Sequence, residues 1–230
     1  MPDADFRIAS TSSVARSSIS QSARRIAGGL MSLGLREGDV VAMQLTNSPE
    51  YLLTYFAMAQ VGIVMTPIHA GYEPSEVEPL LRHSRADAIV VAGAESAQRM
   101  LALIGRLPYL KHVISLGAPP KGAVAWEELT SAAPAEETAD SPLAADPLHM
   151  AFTSGTTAGA KAVLVTHQTA LSTVINATPL LGLREDDLIL SIPAFTHMFG
   201  MAVVHFALNC GGALLLLPQF RPDIFAEMLD

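Results

Sequence analysis

The stretch over residues 153–161 concentrates groups that bind anions. Its nine residues, T-S-G-T-T-A-G-A-K, directly follow an apolar run. Glycine lets the backbone turn with positive φ, and successive N–H groups that point inward form a concave anion site. Hydroxyl groups add donors, and the lysine adds a mobile positive charge. The candidate ligand-binding residues are Thr153, Ser154, Gly155, Thr156, Thr157, Gly159 and Lys161. This set suits a polyphosphate.

A second interpretation of the same stretch is a flexible surface loop rich in Ser, Thr and Gly. The stretch is not a Walker A loop, which requires G-x-x-x-x-G-K-[ST]. Here the spacing from Gly155 to Gly159 is one residue short, and Ala162 follows the lysine.

Two histidines near the end of the chain are further candidates. His197 precedes a helical pattern and His205 follows eight residues later, so the two could share a helix face. That spacing is a weak signal for a metal pair, and a core histidine with a satisfied hydrogen bond is the better interpretation of His205. His197 has two interpretations: a functional histidine, or a residue at the start of a helix whose side chain is hydrogen-bonded to the backbone.

Composition excludes several classes of protein. The 230-residue chain has 14 Lys and Arg against 22 Asp and Glu, a formal charge of −8, and 50% hydrophobic residues. A disordered chain would be less apolar and more charged. An acidic chain is poorly suited to the phosphate backbone of nucleic acids. Cys210 is the single cysteine, which excludes a disulfide-stapled scaffold. A soluble globular chain remains.

Two uncharged stretches, residues 51–72 and 196–219, are long enough to cross a bilayer. Both contain polar residues and internal glycines, so we interpret each as a buried helix, a glycine stop and a buried strand. The N-terminus lacks an apolar segment of signal-peptide length. We therefore expect no membrane span and a cytoplasmic location.

Helical patterns alternate with continuous apolar runs along the chain. Helices are predicted over residues 20–33, 47–61, 75–82, 95–104, 166–178 and 199–209, with a last one that begins at Asp223. Because Pro79 lacks a donor, the third helix is expected to begin properly only near Glu78. Strands are predicted over residues 40–45, 63–66, 87–92, 113–116, 149–152, 163–165, 188–192 and 213–217. This alternation predicts an α/β fold, with a largely parallel sheet flanked by helices and the beginning of a second, similar α/β layer after the 153–161 loop.

Residue composition and the pattern of predicted elements divide the chain into three segments. Residues 1–20 form a Ser- and Ala-rich lead-in that we expect to be disordered. Residues 21–147 form a first α/β subdomain in which Trp126 anchors a short helical turn, and residues 131–147 form an exposed acidic connection. Residues 148–230 contain the 153–161 loop and the start of a second α/β subdomain, which we expect to be cut off at residue 230 in mid-helix.

Several ordered blocks resemble one family of enzymes. T-S-G-T-T-x-x-x-K-x-V-x-x-T-H, over residues 153–167, resembles the phosphate loop of the adenylate-forming superfamily, which includes acyl-CoA synthetases. Blocks at residues 24–42, 47–51 (N-S-P-E-Y), 61–69 (V-G-I-V-M-T-P-I-H) and 193–200 (P-A-F-T-H-M-F-G) are similar to elements of the same family in the same order. The similarity extends from about residue 21 to the end, and several blocks in order are more specific than one glycine-rich loop.

The resemblance implies an AMP-forming acid–CoA ligase. ATP and a carboxylic acid would form an acyl-adenylate and pyrophosphate, and CoA would then displace AMP. The loop residues named above would hold the β- and γ-phosphates, with Lys161 stabilising the charge that builds on pyrophosphate. His197 would lie near the carboxylate. A small carboxylic acid, ATP and CoA are the implied ligands, and the Mg2+ site would lie mainly downstream. The apolar residues around 195–206 favour a hydrophobic or aromatic acid.

This chain also departs from the family pattern. Ala158, Ala160 and Ala162 replace the usual Gly, Pro and Gly, and alanine at positive φ would strain the loop. Family members are about twice as long, so we expect an N-terminal portion that is inactive alone. An alternative is a non-catalytic association or oligomerisation module, including a homodimer, because an incomplete second layer exposes sheet edge and apolar surface. A dinucleotide-binding domain fits less well, since no G-x-G-x-x-G follows a strand.

Overall fold

A computed structural model describes residues 7–8, 13–136, 142–153, 161–217 and 222, with side chains from residue 17 onward within those ranges. The strands are β1 (Arg7–Ile8), β2 (Val40–Gln44), β3 (Val64–Pro67), β4 (Ala88–Ala92), β5 (His112–Leu116), β6 (Val124–Ala125), β7 (Pro147–Thr153), β8 (Lys161–Thr166), β9 (Leu188–Ser191) and β10 (Ala213–Leu216). The helices are α1 (Ser13–Ser32), α2 (Pro49–Gln60), α3 (Pro74–Ser84), α4 (Gly93–Ile104), α5 (Trp126–Thr130), α6 (His167–Leu181) and α7 (Met198–Cys210).

The described strands form two sheets. The larger has the order β6-β5-β4-β2-β3-β7-β8 and is parallel except for the antiparallel pair β7 and β8. The smaller has the order β1-β10-β9, in which β9 and β10 are parallel. The predicted α/β class and the start of a second layer after the loop are thereby confirmed.

Local sequence signals account for most of the helix ends. In α2 the Ser48 side chain accepts a hydrogen bond from the Tyr51 N–H at 3.2 Å, and Pro49 occupies the first turn. In α6 the Thr166 side chain accepts from the Thr169 N–H at 3.1 Å, as its position before the helix predicted. Gly34 follows α1 with a φ of +85°, which a glycine tolerates without strain.

Two helices begin earlier than the sequence indicated. Helix α1 begins at Ser13, so part of the predicted lead-in is helical. Helix α3 begins at Pro74, and the expectation of a start near Glu78 is wrong. The Glu76 side chain accepts from the Glu73 N–H at 2.9 Å and stabilises the first turn, while Pro79 lies within the helix. The helix predicted from Asp223 lies outside the described residues.

The buried apolar residues form two clusters, one on each face of the larger sheet. The first joins α1 and α2 to the second sheet through Phe195, Met201, Val204 and Leu214. The second packs α3 and α4 on the opposite face, around Ile89, Val91 and Val113. Continuous burial of β4 on both faces explains why its sequence is an uninterrupted apolar run.

The segment that follows α5 is tied to α1 through Arg24. The side chain of Arg24 donates to the carbonyl of Ala135, with its Nη2 at 2.9 Å, and the Ala135 N–H donates back to the Arg24 carbonyl at 2.8 Å. Trp126 is buried, and its indole N–H donates to the Thr54 hydroxyl at 2.8 Å, as expected for an anchor. Residues 137–141 lie outside the described part of the chain.

Strands β7 and β8 extend the same sheet as β2 and β3, so one sheet contains residues from both sides of the predicted boundary at 147/148. The division into subdomains stays a prediction. Across the described ranges, no helix has the combination of length and apolar character that crossing a membrane demands. Residues 51–72 and the described residues 196–217 instead contain a helix, a glycine stop and a strand, with Gly62 and Gly211 at positive φ.

Candidate active site

An antiparallel hairpin holds the two ends of the 153–161 stretch together. Thr153, the last residue of β7, lies opposite Lys161, the first residue of β8, and its hydroxyl lies 3.5 Å from the Lys161 carbonyl. Both residues are exposed. Residues 154–160, and with them Ser154, Gly155, Thr156, Thr157 and Gly159, lie outside the described residues. The hairpin therefore fixes where the candidate loop begins and ends.

The alanine that follows the lysine adopts ordinary strand geometry. Ala162 pairs with Phe152 in the β7–β8 ladder, and the one non-glycine residue with positive φ in the described ranges is Arg85. The predicted strain at Ala162 is therefore absent, because β8 begins before it. Ala158 and Ala160 lie among the residues that are not described.

A cleft of about 620 Å³ opens where the two sheets meet. Its walls follow the carboxyl ends of β2, β3, β9 and β10, the usual position for a ligand in an open parallel sheet. The lining residues are Leu45, Thr46, Asn47, His69, Ala70, Gly71, Ile192, Ala194, Thr196, His197 and Leu217. The volume lies in the range of small-molecule sites, and the mixture of aliphatic side chains with a few polar groups is typical of them.

One wall of the cleft is the loop over residues 193–197, which carries His197. The Asn47 side chain accepts from the Phe195 N–H at 2.8 Å and donates to the Pro193 carbonyl at 3.0 Å. The Tyr51 hydroxyl donates to the Phe195 carbonyl at 3.3 Å, and the Tyr51 and Phe195 rings lie 5.3 Å apart. The loop is thereby fastened to the first sheet by residues of the N-S-P-E-Y block.

Another wall of the cleft is the loop over residues 69–72, which carries His69. Its carbonyl groups converge on the buried Gln44 side chain, which donates to Tyr72 at 2.7 Å. His69 Nδ1 accepts from the Gly71 N–H at 3.2 Å, and its ring lies 5.3 Å from that of Tyr72. The cleft thus has one histidine on each of these walls.

His197 lies at the start of α7, as predicted, but its side chain does not cap the helix. It is exposed and lines the cleft, and with Ala151 and His149 of β7 it also borders a void of only about 10 Å³, which places these residues close together. Thr153 follows Ala151 by two residues, which is about 7 Å along a strand. The 153–161 stretch therefore begins close to His197.

Two histidines lie buried behind the cleft. His205 is satisfied in the core, since its Nε2 lies 3.1 Å from the Tyr55 hydroxyl. His149 has its Nε2 3.0 Å from the Met198 sulfur. Burial, and to a smaller extent repulsion from neighbouring histidines, lowers the pKa of each to about 4. In the described ranges, no group of three or more His, Cys, Asp or Glu side chains could hold a metal ion, so we assign no Mg2+ ligand.

Of the predicted site residues, the structure describes Thr153, Lys161 and His197, and it brings the hairpin near the histidine. Sequence reasoning missed Asn47, Gln44 and His69. Asn47 had been interpreted as part of a helix start, but Ser48 is the residue that caps α2. The block N-S-P-E-Y contained one signal that could have identified Asn47. Ser48 alone caps the helix, so the asparagine before it was free to serve another purpose.

Comparison with known proteins places this geometry in a family. The family model described as "AMP-binding enzyme" matches residues 2–230. The chain belongs to the AMP-binding enzyme family. It is 29% identical to 4-coumarate–CoA ligase 4 of Arabidopsis thaliana, covering 90% of this chain and 38% of that one. It is also 29% identical to a crotonobetaine/carnitine–CoA ligase of Citrobacter koseri, covering 90% and 41%.

A solved structure extends the comparison to the fold. The crystal structure of ATP-bound MatB from Rhodopseudomonas palustris superimposes with a TM-score of 0.81 at 25% identity, covering 93% of this chain and 42% of that one. The family resemblance and the α/β fold inferred from the sequence are confirmed. This member of the AMP-binding family spans about two fifths of the length of the relatives it matches.

Proposed function

We propose that this chain provides the phosphate-binding hairpin and one part of the acid pocket of an AMP-forming carboxylic acid–CoA ligase. The observation that carries the proposal is the void shared by Ala151 and His197, which brings the start of the 153–161 stretch next to the two-sheet cleft. The relatives named above are CoA ligases, which supports the same reaction class.

The chemistry follows from the placement of charge. A carboxylate oxygen of the acid attacks the α-phosphorus of ATP, and the bond to pyrophosphate breaks. Lys161 and the hydroxyl and N–H groups of residues 153–157 and 159 would stabilise the charge that builds on the departing pyrophosphate. The CoA sulfur then attacks the acyl carbon, and AMP leaves. Mg2+ would neutralise phosphate charge during the first step.

The cleft supports a hydrophobic or aromatic acid as the substrate class. Leu45, Ile192, Ala194 and Leu217 give it aliphatic walls, while His197 and His69 are the titratable groups that line it. We propose that His197 lies beside the acid carboxylate, where an imidazole can donate a hydrogen bond. Apolar walls disfavour a second charge on the acid, because that charge would be desolvated without a partner.

Calorimetric titration with MgATP tests the phosphate-binding role. Lys161→Ala is expected to weaken MgATP binding by roughly tenfold or more, because a charge-assisted contact to phosphate is lost. Lys121→Ala is the matched control, since Lys121 is an exposed lysine outside the hairpin. Equal binding by the wild type and both variants would remove Lys161 from the site.

A second candidate function is association with another polypeptide. Strand β8 is the last strand of its sheet among the described residues, and Val163 and Leu164 on it are exposed. Leu171, Ile175 and Leu180 of the following helix are exposed as well. Apolar surface of this kind favours association. Sedimentation velocity over a concentration series decides the matter, because a monomer at every concentration contradicts self-association.

A further inference from the structure

We propose that Asn47 is a positioning residue of the acid site, which holds the loop over residues 193–197 so that His197 lies at the cleft. This inference rests on the proposed function. It goes beyond that function by assigning to the site a residue at the edge of the cleft whose side chain bonds the loop that carries His197.

The contacts of Asn47 are specific and buried. Only 3% of the residue is exposed, and both ends of its carboxamide are used. Its oxygen accepts from the Phe195 N–H and its nitrogen donates to the Pro193 carbonyl, in a loop 146 to 148 residues further along the chain. A carboxamide carries both an acceptor and a donor, so it can satisfy a backbone N–H and a backbone carbonyl together.

The geometry of the loop passes this restraint on to His197. Phe195 is 1% exposed and fits against Tyr51, so the loop is fixed at its centre. The His197 N–H donates to the Ala194 carbonyl at 2.9 Å and closes a turn over residues 194–197. This turn contains Phe195 and directly follows Pro193. Releasing Phe195 and Pro193 therefore releases the turn that orients His197. Small displacements of an orienting group cost a large part of its effect.

A similar contact on the other loop that lines the cleft supports a positioning role for the β2–α2 connection. Gln44, at the end of β2, holds the loop of His69 by donating to the Tyr72 carbonyl. Asn47 lies three residues later and holds the loop of His197. The two carboxamides thus hold both loops that line the cleft from one short segment. The distance between these loops is therefore fixed relative to the first sheet.

Three variants of the full chain test the inference. Asn47→Ala removes both hydrogen bonds to the loop. Tyr51→Phe removes one bond to the same loop and keeps the buried ring, so it is expected to fold. Thr54→Val is the control, because Thr54 is buried in α2 and holds Trp126 but does not line the cleft. Hydrogen exchange of residues 193–199 measures the loop, and calorimetry measures affinities for 4-coumarate and for MgATP.

We expect roughly tenfold faster exchange of residues 193–199 in Asn47→Ala, with roughly tenfold weaker binding of 4-coumarate. MgATP affinity should stay within about twofold, because the hairpin is untouched. Tyr51→Phe should change loop exchange and 4-coumarate affinity in the same directions by a smaller factor. Thr54→Val should change neither quantity. If Asn47→Ala does not fold, Tyr51→Phe decides by the same criteria.

The inference is overturned if exchange of the loop is unchanged in Asn47→Ala and Tyr51→Phe. It is also overturned if the loop exchanges faster but the affinity for 4-coumarate is undiminished. Loss of both affinities together would point to general loss of structure and would also overturn it. A wild-type chain that binds neither ligand contradicts the proposed function instead. In that case faster exchange in Asn47→Ala still supports the hold on the loop, so the two failures are distinguishable.

Discussion

Burial lowers the pKa of the two histidines behind the cleft. His149 and His205 are both buried, and His167 and the Tyr55 hydroxyl lie near them. Burial raises the pKa of Tyr55, so its hydroxyl stays protonated and can donate to the neutral His205 ring. The pair is therefore uncharged at neutral pH, which suits an apolar interior.

This predicts a loss of stability in mild acid. The pKa of each histidine is about 4 in the folded chain and about 6.5 when unfolded, so the unfolded chain binds protons between these values that the folded chain does not. The free energy of unfolding is expected to be lower at pH 5 than at pH 7, by about 1–2 kcal/mol for each histidine.

Urea denaturation at both pH values measures the effect. His205→Gln is expected to reduce the difference between pH 7 and pH 5, because one of the two groups no longer titrates. His83→Gln is the control, since His83 is exposed on α3. An equally large difference in His205→Gln and the wild type would contradict the assignment.

A second prediction at this scale concerns the single tryptophan. Thr54→Val leaves the buried Trp126 indole N–H without its acceptor, which is expected to cost about 1–3 kcal/mol and to alter Trp126 fluorescence. Thr173→Val, at an exposed position in α6, should change neither quantity. Urea denaturation followed by fluorescence compares the two, and equal midpoints would contradict the role of the hydrogen bond.

At the scale of elements, a glycine allows α7 to start against its own preceding loop. A Cβ at Gly200 would lie 2.2 Å from the Ala194 carbonyl oxygen and 2.9 Å from that of Pro193. The backbone there is helical and not at positive φ, so the requirement is space alone. The final glycine of P-A-F-T-H-M-F-G thus permits the close approach that brings His197 to the cleft.

Gly200→Ala is therefore expected to destabilise the chain by about 2 kcal/mol or more, because backbone must move to admit the methyl group. Gly105→Ala is the control: Gly105 follows α4 in a right-handed helical conformation, and a Cβ there would meet nothing within 4 Å. That change is expected to be neutral or to stabilise by up to about 1 kcal/mol. Thermal unfolding of the two variants checks the contrast, which equal melting temperatures would contradict.

At the scale of the whole molecule, one apolar cluster joins the two sheets. Phe195, Met201 and Leu214 from the second layer pack with residues of α1 and α2. Removing the second layer would expose this face of the first. The described parts of both layers are therefore expected to unfold together.

Two native probes test this cooperativity. Trp126 reports on the first layer by fluorescence, and Cys210, the single cysteine, reports on the end of α7 by its rate of alkylation. We expect both probes to show the same urea midpoint. Alkylation of Cys210 at clearly lower urea, while Trp126 fluorescence is still native, would show that the second layer opens independently.

The local signals in the sequence were sufficient for the order of the described helices and strands except for the two-residue strands β1 and β6, which were not predicted. The stop at Gly62 and the apolar run of β4 each depend on a few neighbouring residues, and each was found where the pattern indicated it. The errors occurred where a neighbour altered a local rule. Pro79 did not delay α3, because Glu76 secures the first turn upstream of it.

The amino-acid sequence by itself determined the fold class, the family and the candidate residues of the 153–161 stretch, because these depend on periodicity and on residues that are adjacent in the chain. Tertiary structure alone decided that β7 lies beside β3, that His69 and His197 line one cleft, and that Asn47 holds the loop that carries His197. These relations join residues as many as 148 positions apart. Pairing at such separations follows from how the layers pack, and no short segment of sequence carries a signal for it.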